Sequence, residues 1–153
     1  MKRWSPVTYV RPYVSGDYSG VFSLEKQCFE QHSAQQYLDL YMSSPKHFFI
    51  AMEDDRLVGY VAGWEDENLG RIISIGVDPE YRRMGIAMEL MREFFGSLSP
   101  AVEWFVLEVR VSNIAAQRLY TKFGFISCQI ISRYYLDGED GLLMVRSRNG
   151  QPG

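Results

Sequence analysis

Midway along the chain an apolar strand, a basic turn with a glycine, an amphipathic helix and a second apolar strand follow one another. This order constrains the fold more than any other feature. The first strand reads Arg71-Ile72-Ile73-Ser74-Ile75-Gly76-Val77 and closes at Asp78-Pro79. Beyond the turn, Ile86, Ala87, Leu90, Met91, Phe94 and Phe95 recur at helical spacing, so this helix buries one face. Residues 97–100 stop it, and 103–111 form the second strand. Two strands of one sheet joined through a helix must be parallel and cross over right-handed, which makes a βαβ unit the centre of the fold.

The flanks add antiparallel pairs. A β-branched and aromatic strand at 7–12 feeds a helix running to about residue 29, and Ser33 can cap a second short helix through about Met42. Residues 47–52 and 56–64 read as strands joined at Asp54-Asp55, with a polar loop at 65–68. After the βαβ unit come a helix at 113–123 and strands at about 125–135 and 142–146, joined through Asp137-Gly138-Glu139-Asp140-Gly141. The expected architecture is α/β (α+β), a mixed, mostly antiparallel twisted sheet of about seven strands with about four helices. With 153 residues the chain should make one domain over 1–146, followed by a polar, frayed tail at 147–153.

Sixteen basic against nineteen acidic residues give a net charge of −3, the wrong sign for broad binding to a phosphate backbone. No apolar run reaches the 18 residues of a membrane span, and Met1-Lys2-Arg3 is followed by Trp4-Ser5-Pro6 instead of a signal-peptide core. The expected compartment is the cytoplasm, with neither nucleic acid nor membrane as partner. Cys28 and Cys128 form no CxxC and read as structural filler. His32 and His47 lack metal-ligand spacing, so no metal is expected.

Three places carry chemistry. Gly85 opens a helix directly after a strand and the arginines Arg82 and Arg83. Free backbone N–H groups and the helix dipole there suit a diphosphate; a solvated turn with a hinge glycine is the other reading. Neither a G-x-G-x-x-G nor a P-loop is present. On the second strand Phe105, Leu107, Val109 and Val111 face one way and Trp104, Val106, Glu108 and Arg110 the other. Glu108 is thus a carboxylate in an apolar strand. Partial burial would raise its basicity toward that of a general base, and a salt bridge to a neighbouring arginine is the alternative. Asn113 and Tyr120 lie seven residues apart and share one helix face, so the Tyr120 hydroxyl can reach the same crevice or pack in the core.

Arg82-x-x-Gly85-x-Ala87 after Val77-Asp78-Pro79 resembles the acetyl-CoA signature (Q/R-x-x-G-x-G/A) of the GNAT N-acetyltransferases. Leu107-Glu108-Val109-Arg110-Val111-Ser112-Asn113, then Ala115-Ala116, Leu119-Tyr120 and Phe123-Gly124-Phe125, resemble the protein N-terminal acetyltransferases within them. The ribosomal-protein-alanine acetyltransferases of the RimI type and their archaeal relatives are the nearest in pattern, including Tyr134-Tyr135-x-Asp137-Gly138-Glu139-Asp140. The likeness runs from about 71 to 144; residues 1–65 share only the order of elements.

The resemblance implies a GNAT fold, acetyl-CoA as co-substrate and direct acetyl transfer to the α-amino group of a protein N-terminus. Glu108 would be the general base and Tyr120 the general acid. Backbone groups of Ile75, Gly76 and Val77 would pair with the pantetheine arm, and N–H groups of Arg83, Met84, Gly85, Ile86, Ala87 and Met88 would hold the diphosphate. Asn113 would fix the cofactor, or cap its own helix. Relatives often carry a proline-containing stretch between the first two helices; here it is Phe29-Glu30-Gln31-His32-Ser33. Glu30 could hold the acceptor ammonium or be a surface carboxylate. Tyr134 and Tyr135 could wall the peptide channel or be plain strand aromatics. The acceptor is expected to be a peptide or protein N-terminus, a ribosomal protein among the candidates, and the enzyme a monomer or weak dimer. A small-molecule amine as acceptor, or an acyl-CoA-binding module without turnover, are the competing readings.

Overall fold

The computed structural model describes residues 8–28, 45–82 and 85–149. The second helix expected at 33–42 lies outside them. Seven strands form one sheet in the order β1-β2-β3-β4-β5-β7-β6. The residues group into two compact units, Met1–Trp64 with Ser74–Leu98 and Glu65–Ile73 with Ser99–Gly153. The chain crosses between the units at 64–65, 73–74 and 98–99.

In the first unit β1 (Thr8–Pro12), β2 (Phe48–Glu53) and β3 (Arg56–Asp66) form an antiparallel meander. Asp54, at φ 52°, makes the β2–β3 turn expected at Asp54-Asp55. Helix α1 (Tyr18–Cys28) follows a 3-10 turn at Ser15–Asp17. Asp17 tethers that start: its carboxylate accepts from the Val14 N–H at 2.9 Å and pairs with both Arg11 terminal nitrogens at 2.9 Å. Helix α2 (Ile86–Ser97) buries Ile86, Leu90, Met91 and Phe94, the face read from its spacing. These pack with the unit's other buried residues, Val21, Leu24, Phe48, Ile50, Val58 and Tyr60, in an apolar interior.

In the second unit the first part of β4 (Leu69–Val77) runs parallel to β5 (Trp104–Arg110), with Arg71 beside Val106. Strand β7 (Gly141–Ser147) lies antiparallel to β5 on one side and to the edge strand β6 (Ile126–Ile131) on the other. Helix α3 (Ile114–Lys122) stands between β5 and β6 in the chain. Phe105, Leu107, Val109, Tyr120, Phe125 and Met144 are buried. β6 is largely exposed, and its ladder slips between Ser127 and Gln129, leaving Cys128 as an extra, exposed residue.

Four expectations need correction. The polar loop at 65–68 shrinks to Glu67-Asn68, because β3 continues to Asp66 and Glu67 takes φ 53°. The strand expected to reach Tyr135 stops at Ile131: Arg133 turns into φ 52° and its N–H is captured by the Asp140 carboxylate at 2.9 Å, which pulls the chain off the ladder. The tail does not fray at its start. Ser147 belongs to β7, and Arg148 donates from its backbone to Glu103 O at 2.8 Å and from its guanidinium to Ser99 O and Val102 O at 3.1 and 2.7 Å. Cys128, on the exposed edge, is not core filler. Among the described residues no helix is long and apolar enough to cross a membrane.

Candidate active site

In the first unit the helix start has the form an anion needs. Gly85 sits at φ 77°, a left-handed conformation that side-chain-bearing residues adopt only under strain, although a Cβ there would meet nothing within 4 Å. The glycine is therefore required by the backbone turn and not by crowding. The first helical bond is Glu89 N–H to Gly85 O at 3.1 Å, and no side chain caps the helix from Gly85. The N–H groups of Ile86, Ala87 and Met88 are left without helical acceptors and point out of the helix end, which fits a diphosphate. Arg83 and Met84, assigned to the same loop, lie outside the described residues.

The approach to this turn is anchored. Asp78 accepts from Glu80 N–H at 2.9 Å, pairs with Arg56 at 3.2 Å, and donates its own N–H to Val58 O at 2.8 Å. Arg82 donates to Val77 O at 3.0 Å and reaches the Cys28 sulfur at 3.7 Å. Burial pushes the Cys28 thiol up, against the pull of that guanidinium. Gly76 is required by packing: a Cβ would lie 2.8 Å from the Tyr60 ring and 3.3 Å from the Cys28 sulfur. Tyr60 donates to the buried Glu25 carboxylate at 3.2 Å and shares a hydrogen bond with Ser74 at 2.9 Å. Glu25 was missed by sequence reading, although Val21, Leu24 and Glu25 fall on one helix face at a core spacing that an acidic residue interrupts.

The second unit holds the proposed acid and base. Glu108 shares its strand face with Val106, whose neighbour across the parallel pair is Arg71, and Arg71 reaches diagonally to the carboxylate. Its Nη1 donates to both carboxylate oxygens, at 2.6 and 2.5 Å. Of the two readings of Glu108, the structure shows the salt bridge to a neighbouring arginine, with Glu108 13% and Arg71 28% exposed. Tyr120 is buried, with the Phe125 ring edge-on at 6.1 Å, and burial pushes its phenol well above the ordinary value.

Tyr135 comes into the same neighbourhood. Its phenol is raised first by burial, then by Tyr134; Arg110 opposes this, and Glu108 and Tyr120 add to it. Tyr135 thus lies within electrostatic reach of both Glu108 and Tyr120. Arg110 organises the loop that carries Tyr135. It binds Asp137 at 2.9 Å and Glu139 at 2.9 Å, and its guanidinium lies 4.2 Å from the Tyr135 ring centroid. Tyr134 stands edge-on to Tyr135 at 4.9 Å and packs where Gly141 leaves room. Both tyrosines are loop residues instead of strand aromatics.

Asn113 turns to its own helix, its side chain accepting from Ala116 N–H at 3.1 Å; in this structure it is a cap. Glu30 lies outside the described residues. Arg110 was not singled out by sequence reading as a partner of the 137–139 carboxylates, and Arg71 entered it only as an unnamed neighbouring arginine. Among the described residues no group of histidine, cysteine, aspartate and glutamate could hold a metal ion.

The Acetyltransferase (GNAT) family profile matches residues 18–125. An N-alpha-acetyltransferase of Saccharolobus solfataricus is 39% identical over 113 residues, covering 65% of this chain and 68% of that one. A putative ribosomal protein bS18-alanine N-acetyltransferase of Bacillus subtilis is 33% identical over 132 residues, 84% of this chain and 87% of its own. Among solved structures, Ard1 from Thermoplasma volcanium superposes with a TM-score of 0.83 at 27% identity, covering 92% and 97% of the two chains.

Proposed function

The chain belongs to the GNAT family of acetyltransferases, and from that premise we propose that it moves the acetyl group of acetyl-CoA to the α-amino group of protein N-termini, a ribosomal protein being one candidate acceptor. The observation that supports this reading is that Glu108, Tyr120 and Tyr135 all lie in the second unit, with Tyr135 in electrostatic reach of the other two. A base, an acid and an aromatic wall beside them are the parts that direct transfer to a peptide amine requires.

Glu108, through a water, takes a proton from the acceptor ammonium. The freed nitrogen attacks the thioester carbonyl, so a C–N bond forms as the C–S bond breaks. Tyr120 gives its proton to the leaving sulfur and regains one from the amide-forming nitrogen by way of solvent. Its raised phenol keeps that proton across the neutral range, so the donor is loaded before each turnover. The N–H groups of Ile86, Ala87 and Met88, with Arg83, Met84 and Gly85 in the same loop, bind the diphosphate, and the backbone of Ile75, Gly76 and Val77 holds the pantetheine arm. Asn113 fixes the start of α3. Tyr134 and Tyr135 line the acceptor path.

Protonation favours an α-amine over lysine. With reference pKa values of about 7.7–8.0 and 10.4, roughly a third of the former but only about one in a thousand of the latter is neutral at pH 7.5. The test offers one lysine-containing peptide with a free and with a blocked N-terminus, read by mass spectrometry. Acetylation confined to the free form is expected. Comparable labelling of both would make the protein a lysine acetyltransferase, and labelling of neither, with small amines accepted, would move the acceptor to another class.

A further inference from the structure

We infer that Arg71 balances the charge of the catalytic base, so that the acceptor ammonium is not stabilised in its protonated form beside Glu108 and gives up its proton more readily. The inference rests on Glu108 being the base proposed above. A carboxylate standing alone beside the acceptor would attract its ammonium and stabilise the protonated amine, the form that cannot attack. Here both carboxylate oxygens accept from one Arg71 nitrogen, at 2.6 and 2.5 Å, and the pair carries no net charge. The carboxylate is still 13% exposed, so lone pairs remain for a water that relays the proton.

The remaining charges nearby do not duplicate this role. On β5 itself Arg110 is committed to Asp137 and Glu139 of the 132–140 loop. Helix α3 offers Tyr120 and the loop offers Tyr135, both held neutral by burial. On β7 the residue opposite Glu108 is Leu143, which carries no charge. Arg71 on β4 is the cation paired directly with Glu108. A salt bridge serving stability alone would make a different prediction, because its removal would alter melting without altering how the protein treats a charged amine.

The probe is an alanine-starting hexapeptide with no other charge than its termini, titrated into the protein without cofactor at pH 6.5, where its amine is mostly protonated, and at pH 9.0, where it is mostly neutral. Arg71→Gln should bind this peptide at least about tenfold more tightly than the unaltered protein at pH 6.5, about 1.4 kcal/mol, with less than about a twofold difference at pH 9.0. Arg71→Lys, which keeps the charge, should bind as the unaltered protein does, and Arg71→Gln combined with Glu108→Gln should lose the gain. With acetyl-CoA present, Arg71→Gln should lower kcat about tenfold while also lowering the acceptor KM, and the acid limb of its pH profile should move up by about one unit.

Glu108→Gln alone supplies the converse without touching Arg71: an unopposed guanidinium should weaken peptide binding at pH 6.5 at least tenfold relative to pH 9.0. Equal peptide affinity in all variants at pH 6.5 overturns the inference. Near-normal turnover by Glu108→Gln instead overturns the assignment of the base, and the two failures are read from separate measurements.

Discussion

Tyr120 is the residue at which burial and chemistry coincide. It is 7% exposed, and desolvation raises its phenol. In the unfolded chain the phenol titrates near 10. Below that pH both states keep the proton and the contribution to stability is complete; above it the unfolded chain ionises first, and stability is lost as pH rises toward the raised folded value. One such group changes the unfolding free energy by up to about 1.4 kcal/mol per pH unit. Tyr135, raised in the same direction, adds a second share. Urea midpoints taken at pH 9 and pH 11 should therefore fall steeply in the unaltered protein and about half as steeply in Tyr120→Phe. The same variant should turn over at least about tenfold more slowly at pH 7.5, with no recovery at alkaline pH, since deprotonating the acceptor does not restore a lost acid. An unchanged rate would remove Tyr120 from the chemistry. The sequence placed Tyr120 and Glu108 correctly on their elements because strand and helix periods assign faces. It could not show the Arg71 contact, which depends on the diagonal offset of two parallel strands far apart in the chain.

At the scale of elements, the strands and helices were legible wherever one face is buried, as in α2, whose buried residues are those its spacing marked. Legibility failed where a side chain overrules the local pattern. Residues 125–135 read as one strand from their β-branched and aromatic members, yet Asp140 captures the Arg133 N–H and ends β6 four residues early. The loop so formed is held by Arg110 through two carboxylates and the Tyr135 ring, and Glu139 in turn accepts from the Ser112 N–H at 2.9 Å ahead of α3. Arg110→Leu should release it. The expected result is a rise of about tenfold in peptide KM with the acetyl-CoA KM unchanged, together with loss of Tyr135 order in amide exchange. A variant with unaltered peptide KM would show that the loop does not shape acceptor binding.

At the scale of the whole molecule, cofactor binding is linked to folding. A ligand that binds only the folded state stabilises it by about 2.7 kcal/mol at 100 times its Kd. Coenzyme A should thus raise the melting temperature by several degrees, and Gly85→Val should abolish most of that rise while costing about 1–2 kcal/mol itself, because valine is strained at φ 77°. A full ligand-dependent rise in a folded Gly85→Val protein would take the diphosphate away from this turn. The edge of the sheet bears on contacts with other chains. β6 presents Ile126 and Ile130, 45% and 56% exposed, on a strand whose outer backbone has no neighbour among the described residues. Such an edge is a template for strangers, and the extra residue at Cys128 breaks its repeat so that a second strand cannot lie flush along it. Deleting that one residue should smooth the ladder and make β6 a better template for a second strand.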